Sequence, residues 1–232
     1  MKALHILLNL RGEYIKSPAL KKSVPQWLSY KGTDKHPFDI HEHVVPKRGF
    51  KSFNELFLRF VKNGTRTVSL ADKSNKFTVV SPSDGGIFYL TKLSSSIEEY
   101  HHLPSKRNVK FNLKECFPGY GSHFVGGPIL DTLLWFTDFH HFFSPVGGKV
   151  IAMNDYPGSY NYDFDAFDPY HPGRSKPSED SDKAGWYSQL SAHRRFVWIF
   201  QTESMGLVGM SVIGFWGVVS IIVDDDDKSS HT

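Results

Sequence analysis

The feature that most constrains the fold is a pair of apolar runs close to the C-terminal end. Residues 196–201 read FVWIFQ, and residues 207–223 read LVGMSVIGFWGVVSIIV without a charged side chain. Both runs are rich in β-branched residues, which favour strands, and glycines weaken the longer run as a helix. The intervening residues 203–206, ESMG, have the composition of a turn. The pattern predicts two buried antiparallel strands, although 17 uncharged residues also reach the lower limit for a membrane anchor through 207–223.

The preceding chain mixes helical and strand patterns. Ser52, with Glu55 three residues later, has the spacing of a capping box, and the predicted helix buries an apolar stripe. That stripe comprises Phe53, Leu56, Phe57 and Phe60. Residues 77–80 and 87–90 are predicted as strands of a hairpin around the turn sequence SPSDGG. The fold class is therefore predicted as α+β, an N-terminal helical segment followed by a mainly antiparallel β domain.

Three regions are expected along the chain. Residues 1–46, broken by four prolines, form a helical leader, and residues 47–223 form the main domain. Residues 224–232, DDDDKSSHT, form a solvated acidic tail, because adjacent like charges repel each other. Its DDDDK sequence also matches a protease-recognition sequence, so this tail is either a cloning remnant or a chance acidic segment.

Composition excludes several classes of protein. Hydrophobic residues make up 40% of the 232 residues, which indicates a packed globular chain rather than a disordered one. The 27 basic and 24 acidic residues give a net charge of only +3, and no basic stripe indicates nucleic-acid binding. Cys116 is the only cysteine, which excludes an internal disulfide framework. His41 and His43 lack an evident third ligand, so they are predicted as solvated loop histidines rather than as a metal site.

Three segments in order carry a family resemblance. Residues 49–86 contain SFNELFLR and SPSDGG, residues 136–150 read FTDFHHFFSPVGGKV, and residues 190–221 contain the apolar strand pair. Together these segments resemble the phosphatidylserine decarboxylase family. The loop PGSY at 157–160 and LSAHRR at 190–195 are more similar to a fungal branch of that family, which includes decarboxylases of aromatic amino acids such as tryptophan.

The resemblance implies a reaction and a cofactor made from the chain itself. Family members cleave their own chain at a Gly-Ser bond, and the serine becomes a pyruvoyl group that accepts electrons during decarboxylation. The family activates this serine with an Asp-His-Ser arrangement. By resemblance Asp84 is the aspartate of that arrangement. The alternative is that Asp84 only serves the turn, because aspartate before glycine is common in turns.

The second motif departs from the family pattern. His140 matches the first family histidine, and His141 takes the place that usually holds arginine. The second family histidine falls on Phe143, which cannot transfer a proton. In an extended backbone residues 141 and 143 point the same way, so His141 is a candidate substitute. The predicted catalytic residues are therefore Asp84, His140 and His141, and Phe139 and Phe143 are predicted to contact substrate. In the alternative interpretation, His140 and His141 only cap a buried aromatic wall.

The family's Gly-Ser cleavage motif is not recognised after residue 221. The domain is accordingly expected to stop before the pyruvoyl segment, and this chain alone is expected to lack the pyruvoyl group, to bind no metal and to be inactive. The implied substrate is phosphatidylserine or an aromatic L-amino acid, with a cytoplasmic or peripheral membrane location and no nucleic-acid partner. A noncatalytic lipid- or amine-binding protein on the same fold remains the alternative.

Overall fold

A computed structural model describes 28, 32–33, 36–37, 39–67, 74–102, 110–134, 137–158 and 193–214. The predicted helical leader lies largely outside these residues. Its described part contains two short paired strands, Gly32–Thr33 (β1) and His36–Pro37 (β2), and a 3-10 turn at Ile40–Glu42. The helical leader therefore stays a prediction.

The described elements alternate short helices with antiparallel strands. After β2 they are helix α1 (Phe53–Phe57), β3 (Gly86–Lys92), β4 (His101–His102), β5 (Lys110–Phe111), α2 (Leu113–Cys116), a 3-10 turn (Gly121–Phe124), β6 (Pro128–Leu133), β7 (Lys149–Tyr156), β8 (Arg195–Gln201) and β9 (Leu207–Ile213). All strand pairs among them are antiparallel. The α+β class with a mainly antiparallel β part is confirmed.

The predicted C-terminal hairpin is present as β8 and β9. The pairing runs from Arg195 opposite Ile213 to Gln201 opposite Leu207, and β7 adds a third strand on the other side of β8. The connection is closed by Thr202, whose backbone N–H and hydroxyl both donate to the carbonyl of Gly206. Gly206 has a φ of 74°, a backbone conformation that favours glycine.

The anchor alternative for 207–223 is not supported by this arrangement. Residues 207–213 are a strand of the sheet rather than the start of a helix, and residues 215–223 lie outside the described part. Within the described ranges, no helix has the length and hydrophobicity needed to cross a bilayer.

The main core lies between the three-stranded sheet and helix α2. Alternate residues of β8 are buried, as expected for a central strand with one face on the core. The cluster comprises Leu93, Phe111, Leu113, Cys116, Phe117, Val197 and Ile199. Gly209 of β9 allows this packing, because an added Cβ there would come within 2.7 Å of the Phe117 ring and 2.9 Å of the Phe124 ring.

The predicted hairpin of 77–80 with 87–90 is wrong. Strand β3 pairs with β6 instead, with Leu90 opposite Leu130, and residues 77–80 are not in a strand. The N–H of Val80 donates to the Pro145 carbonyl. The SPSDGG segment therefore connects Val80, which is bonded to Pro145, to β3, which pairs with β6. It does not form a hairpin turn.

Helix α1 begins as predicted but is shorter than its apolar pattern. The Ser52 hydroxyl accepts from the Glu55 N–H, and the Glu55 carboxylate accepts from the Lys51 N–H and binds Arg48. Leu56 is buried, whereas Phe60 lies beyond the helix end and is exposed. The predicted stripe is therefore only partly buried.

Truncation of the central strand should test the core. Ile199 is 1% exposed, so Ile199→Ala should lower the free energy of unfolding by about 2–5 kcal/mol through lost burial and the remaining cavity. Met153 on β7 is 49% exposed, and Met153→Ala should cost less than about 1 kcal/mol. Urea denaturation measures both variants, and equal losses would contradict the core assignment.

The thiol of Cys116 offers an independent probe of the same core. The side chain belongs to the last residue of α2 and is buried in the core, and burial raises the pKa of the Cys116 thiol to about 12. We expect a chromogenic disulfide reagent at pH 8 to modify the folded chain only as fast as it opens, because the thiolate is the reactive form. One thiol should react at once in guanidinium, and equally rapid reaction of the folded chain would show that Cys116 is not packed in the core.

Candidate functional site

The site forms where the SPSDGG turn contacts the segment 139–145. The N–H of Phe143 donates to the Pro82 carbonyl at 2.8 Å, and the Val80 N–H donates to the Pro145 carbonyl at 2.9 Å. The Phe139 N–H donates to Asp84 Oδ2 at 3.4 Å. The first and second motifs of the family resemblance, 55 residues apart in sequence, are therefore joined through main-chain groups.

The carboxylate of Asp84 is held by an arginine that the sequence analysis did not select. Arg66 Nε and Nη2 lie 3.1 and 3.2 Å from Asp84 Oδ1 and Oδ2, a bidentate geometry. Arg66 Nη1 in turn binds Glu42 Oε2 at 2.9 Å. Hydrogen bonding to Asp84 raises the pKa of Arg66 further. Asp84 is thus fixed in an ion-pair network in addition to its place in the turn.

His140 is enclosed by protein rather than directed at Asp84. Its Nδ1 lies 2.9 Å from the Asp138 carbonyl oxygen, and its ring lies 3.7 Å from the Phe57 ring, centroid to centroid. Burial lowers the pKa of His140 to about 4, and the positive charge of Arg59 acts in the same direction. His140 is therefore neutral at pH 7.

His141 lies among aromatic rings. Its Nε2 is 3.2 Å from the Leu58 carbonyl oxygen, and its ring stacks on Phe139 with a centroid separation of 4.5 Å. Phe139 also stacks on Phe143 at 6.0 Å, and Phe60 lies 4.7 Å from His141. The aromatic wall of the alternative interpretation is therefore buried only at Phe139, and His141 stacks within it while Phe60 and Phe143 are exposed.

Arg59 is a second residue that the site prediction omitted. Its guanidinium is buried and donates to the carbonyl oxygens of Leu56 at 3.2 Å and of Thr137 and Asp138 at 2.5 and 3.4 Å. Burial lowers the pKa of Arg59 to about 10, which leaves it charged at pH 7. Its signal in the sequence was the last position of SFNELFLR, quoted for the resemblance but not assigned a role. Arg59 joins the end of α1 to the residues before Phe139.

Four of the five predicted residues are joined by contacts that centre on Phe139. They are Asp84, Phe139, His141 and Phe143. Asp84 contacts the segment through the Phe139 backbone, and the hydrogen bonds of the His140 and His141 rings end on carbonyl oxygens. Phe143 is joined to the turn through its own N–H. Among the described residues, therefore, no hydrogen bond joins Asp84 to His140 or His141.

The histidines at 41 and 43 differ from the prediction in one respect. His41 is exposed, but His43 is buried, with Nδ1 3.0 Å from the Asp39 carbonyl oxygen and its ring 6.4 Å from Phe139. Burial lowers the pKa of His43. Across the part of the chain that is described, no three histidine, cysteine or carboxylate side chains are grouped to hold a metal.

Fold and site together define an α+β protein with an aspartate turn docked on a histidine- and phenylalanine-rich segment. The sequence profile of the phosphatidylserine decarboxylase family matches residues 53–231, well over half of the chain. This chain belongs to the phosphatidylserine decarboxylase family. The matched range also includes most of the acidic segment that the sequence analysis had set apart.

Individual relatives agree with this assignment. Phosphatidylserine decarboxylase proenzyme 3 of Schizosaccharomyces pombe is 29% identical over 164 residues, which is 68% of this chain and 15% of the relative. The proenzyme of Fusobacterium nucleatum is 25% identical over 64% of this chain and 46% of its own length. L-Tryptophan decarboxylase of Psilocybe cyanescens is 22% identical over 81% of this chain and 43% of its own length. The chain thus spans less than half the length of these curated relatives.

The described residues do not fit formation of a pyruvoyl group as they stand. The family is pyruvoyl-dependent, and the resemblance implies that a histidine oriented by an aspartate activates the serine that becomes the group. Here the Asp84 oxygens bind Arg66 and the Phe139 N–H, and position 143 holds phenylalanine. Among the described residues Asp84 therefore orients neither His140 nor His141 through a hydrogen bond.

Acid should destabilise the fold through His140. Its folded pKa of about 4 lies below its unfolded value of about 6.5, so the unfolded chain binds more protons between these values. Stability from this group is present above pH 6.5 and is lost as pH falls towards 4, by about 2 kcal/mol. Urea denaturation at pH 7 and pH 4.5 should show a smaller acid loss in His140→Gln. An unchanged loss would show that His140 is not buried in its neutral form.

Proposed function

We propose that this chain forms the aspartate- and histidine-bearing part of a pyruvoyl-dependent decarboxylase, and that it does not process itself in its present form. The proposed substrate carries an amino group on the carbon that loses its carboxylate. Membership of the phosphatidylserine decarboxylase family supports the reaction class. The local geometry supports the choice of residues.

One observation carries the proposal. The Asp84 turn and the segment 139–143 are docked by the Phe143 N–H on Pro82 and the Phe139 N–H on Asp84. The Asp84 carboxylate thus accepts a hydrogen bond from the Phe139 N–H, which lies outside its own turn. This contact joins the Asp84 carboxylate to the aromatic wall through Phe139. A substrate with an amino group could bind the carboxylate of Asp84 and pack on the aromatic rings.

Two substrates are compatible with this site. Phosphatidylserine is named by the yeast and bacterial relatives, and its use would require contact of this protein with a membrane surface. An aromatic L-amino acid is supported by the tryptophan decarboxylase relative and by the ring-rich wall. Both carry the same α-amino carboxylate, so the shared chemistry belongs to that group.

The proposed lack of self-processing rests on position 143 and on Arg66. A positioned base contributes roughly 10²–10⁴-fold to such a proton transfer, and phenylalanine cannot provide it. Arg66 occupies one lone pair on each Asp84 oxygen. The same features would suit a noncatalytic amine- or lipid-binding protein, which is the second candidate function.

Restoring histidine at position 143 tests the proposal. The 232-residue chain should run as one band and take up no carbonyl-reactive hydrazide. Joined in frame to a family Gly-Ser segment, the chain should cleave slowly or not at all. Phe143→His in the joined chain should accelerate cleavage by at least about tenfold, because it places a base on the segment that is docked on the Asp84 turn. Gel electrophoresis and mass spectrometry of hydrazide-labelled protein measure both events.

Asp84→Asn provides the matched control for that gain. In the joined Phe143→His chain, the substitution keeps the size of the side chain but removes its charge, so it should abolish the acceleration while the thermal transition persists. Fast cleavage with Phe143 intact would show that His140 or His141 serves as the base. No gain with Phe143→His would favour the noncatalytic function.

A further inference from the structure

Four aromatic rings stand in a row through the site. The order is Phe60, His141, Phe139 and Phe143, with successive centroid separations of 4.7, 4.5 and 6.0 Å. The last two contacts are stacked, with interplanar angles of 20° and 27°. A row of this kind presents a flat π surface at each end.

Of the two interior rings Phe139 is buried and His141 is half-buried, whereas both ends of the row are exposed. Phe139 is 3% exposed, and Phe60 and Phe143 are 60% and 55% exposed. Large exposed aromatic side chains next to polar groups are typical of binding surfaces. Each end could stack a further ring, and the two ends differ in their polar surroundings.

The Phe143 end is joined through main-chain groups to the turn that carries Asp84. Its N–H is bonded to Pro82, two residues before Asp84, and its stacking partner Phe139 donates to Asp84 itself. Asp84 and Arg66 form a partly exposed ion pair, with side chains 28% and 36% accessible. One carboxylate and one guanidinium side by side match the ammonium and carboxylate of a zwitterion.

We propose that Phe143 is the specificity-determining residue of this chain, on which the side chain of a free aromatic α-amino acid stacks. Its ammonium group faces Asp84 and its carboxylate faces Arg66. This inference rests on the proposed function for the site, and it selects between the two substrates considered there. Phenylalanine at 143 thereby replaces a proton-transfer position with a surface for an aromatic ring.

The phospholipid alternative uses this surface less well. A phosphoserine headgroup has the same α-amino carboxylate but no ring, and its phosphate would add negative charge beside Asp84. Stacking on Phe143 would then contribute nothing to headgroup recognition. Competition between a ring-bearing amino acid and phosphoserine therefore separates the two substrates.

Binding can be measured without any chemical step. We would titrate the 232-residue chain with 5-fluoro-L-tryptophan and follow its fluorine resonance. Saturable binding is expected with a Kd of about 1 mM or tighter, as for a ligand of this size. L-Tryptophan should displace the probe, tryptamine and indole-3-propionate should be at least about fivefold weaker, and O-phospho-L-serine should not compete.

Phe60 supplies a matched control at the other end of the row. Phe143→Ala should weaken binding about tenfold through the lost stacked area, while Phe60→Ala should change the Kd less than twofold. A larger effect of Phe60→Ala would overturn the placement. Absence of saturable binding, or equal competition by O-phospho-L-serine, would overturn the inference itself.

The outcome is separable from that of the proposed function. Aromatic binding by the native chain, together with no carbonyl labelling of the joined Phe143→His chain, would uphold this inference and contradict the decarboxylase proposal. No aromatic binding by the native chain, together with carbonyl labelling of the joined Phe143→His chain and carbon dioxide release from phosphatidylserine, would contradict this inference and uphold the decarboxylase proposal.

Discussion

The site depends on the hydrogen bonds that the buried guanidinium of Arg59 donates to backbone carbonyl oxygens. A charge removed from water must be matched by acceptors, and Arg59 finds them in the carbonyl oxygens of Leu56, Thr137 and Asp138. Those bonds fix the end of α1 against the chain just before Phe139. His140 then packs on Phe57, and the Phe139 N–H reaches Asp84. One buried cation therefore sets the positions of a helix, a turn and the aromatic row.

The same cation influences the chemistry of its neighbours. Burial, with the charge of Arg59 acting in the same direction, lowers the pKa of both His43 and His140, so both favour the neutral state. Neutral imidazole is the form in which a histidine can accept a proton. In this site, however, Nδ1 of His140 is directed at a backbone carbonyl, and Asp84 is directed at Arg66. The residues that the family resemblance selects are therefore present, but Asp84 pairs with an arginine rather than with His140 or His141.

The runs 196–201 and 207–223 allowed the hairpin of strands 195–201 and 207–213 to be predicted, because β-branched residues and a short turn specify a local hairpin. The capped start of α1 was equally local. The pairing of β3 with β6 was not predictable, since its partners lie about 40 residues apart and 77–80 offered a nearer apolar run. The order of the family motifs selected the candidate site residues Asp84, Phe139, His140, His141 and Phe143. Arg66 and Glu42 were missed, because an ion pair between distant, exposed residues leaves no pattern in sequence.

The central claim is that Asp84 is paired with Arg66 and not with a histidine. Long-range nitrogen–proton NMR spectra of protein labelled in both histidine and arginine, recorded at pH 7, test it directly by comparing the native chain with Asp84→Asn. If the claim holds, the ring-nitrogen shifts of His140 and His141 are the same in both proteins, and only the Arg66 side-chain resonances move. A shift of either imidazole on loss of the Asp84 charge, with Arg66 unchanged, would show an aspartate–histidine pair and contradict the account.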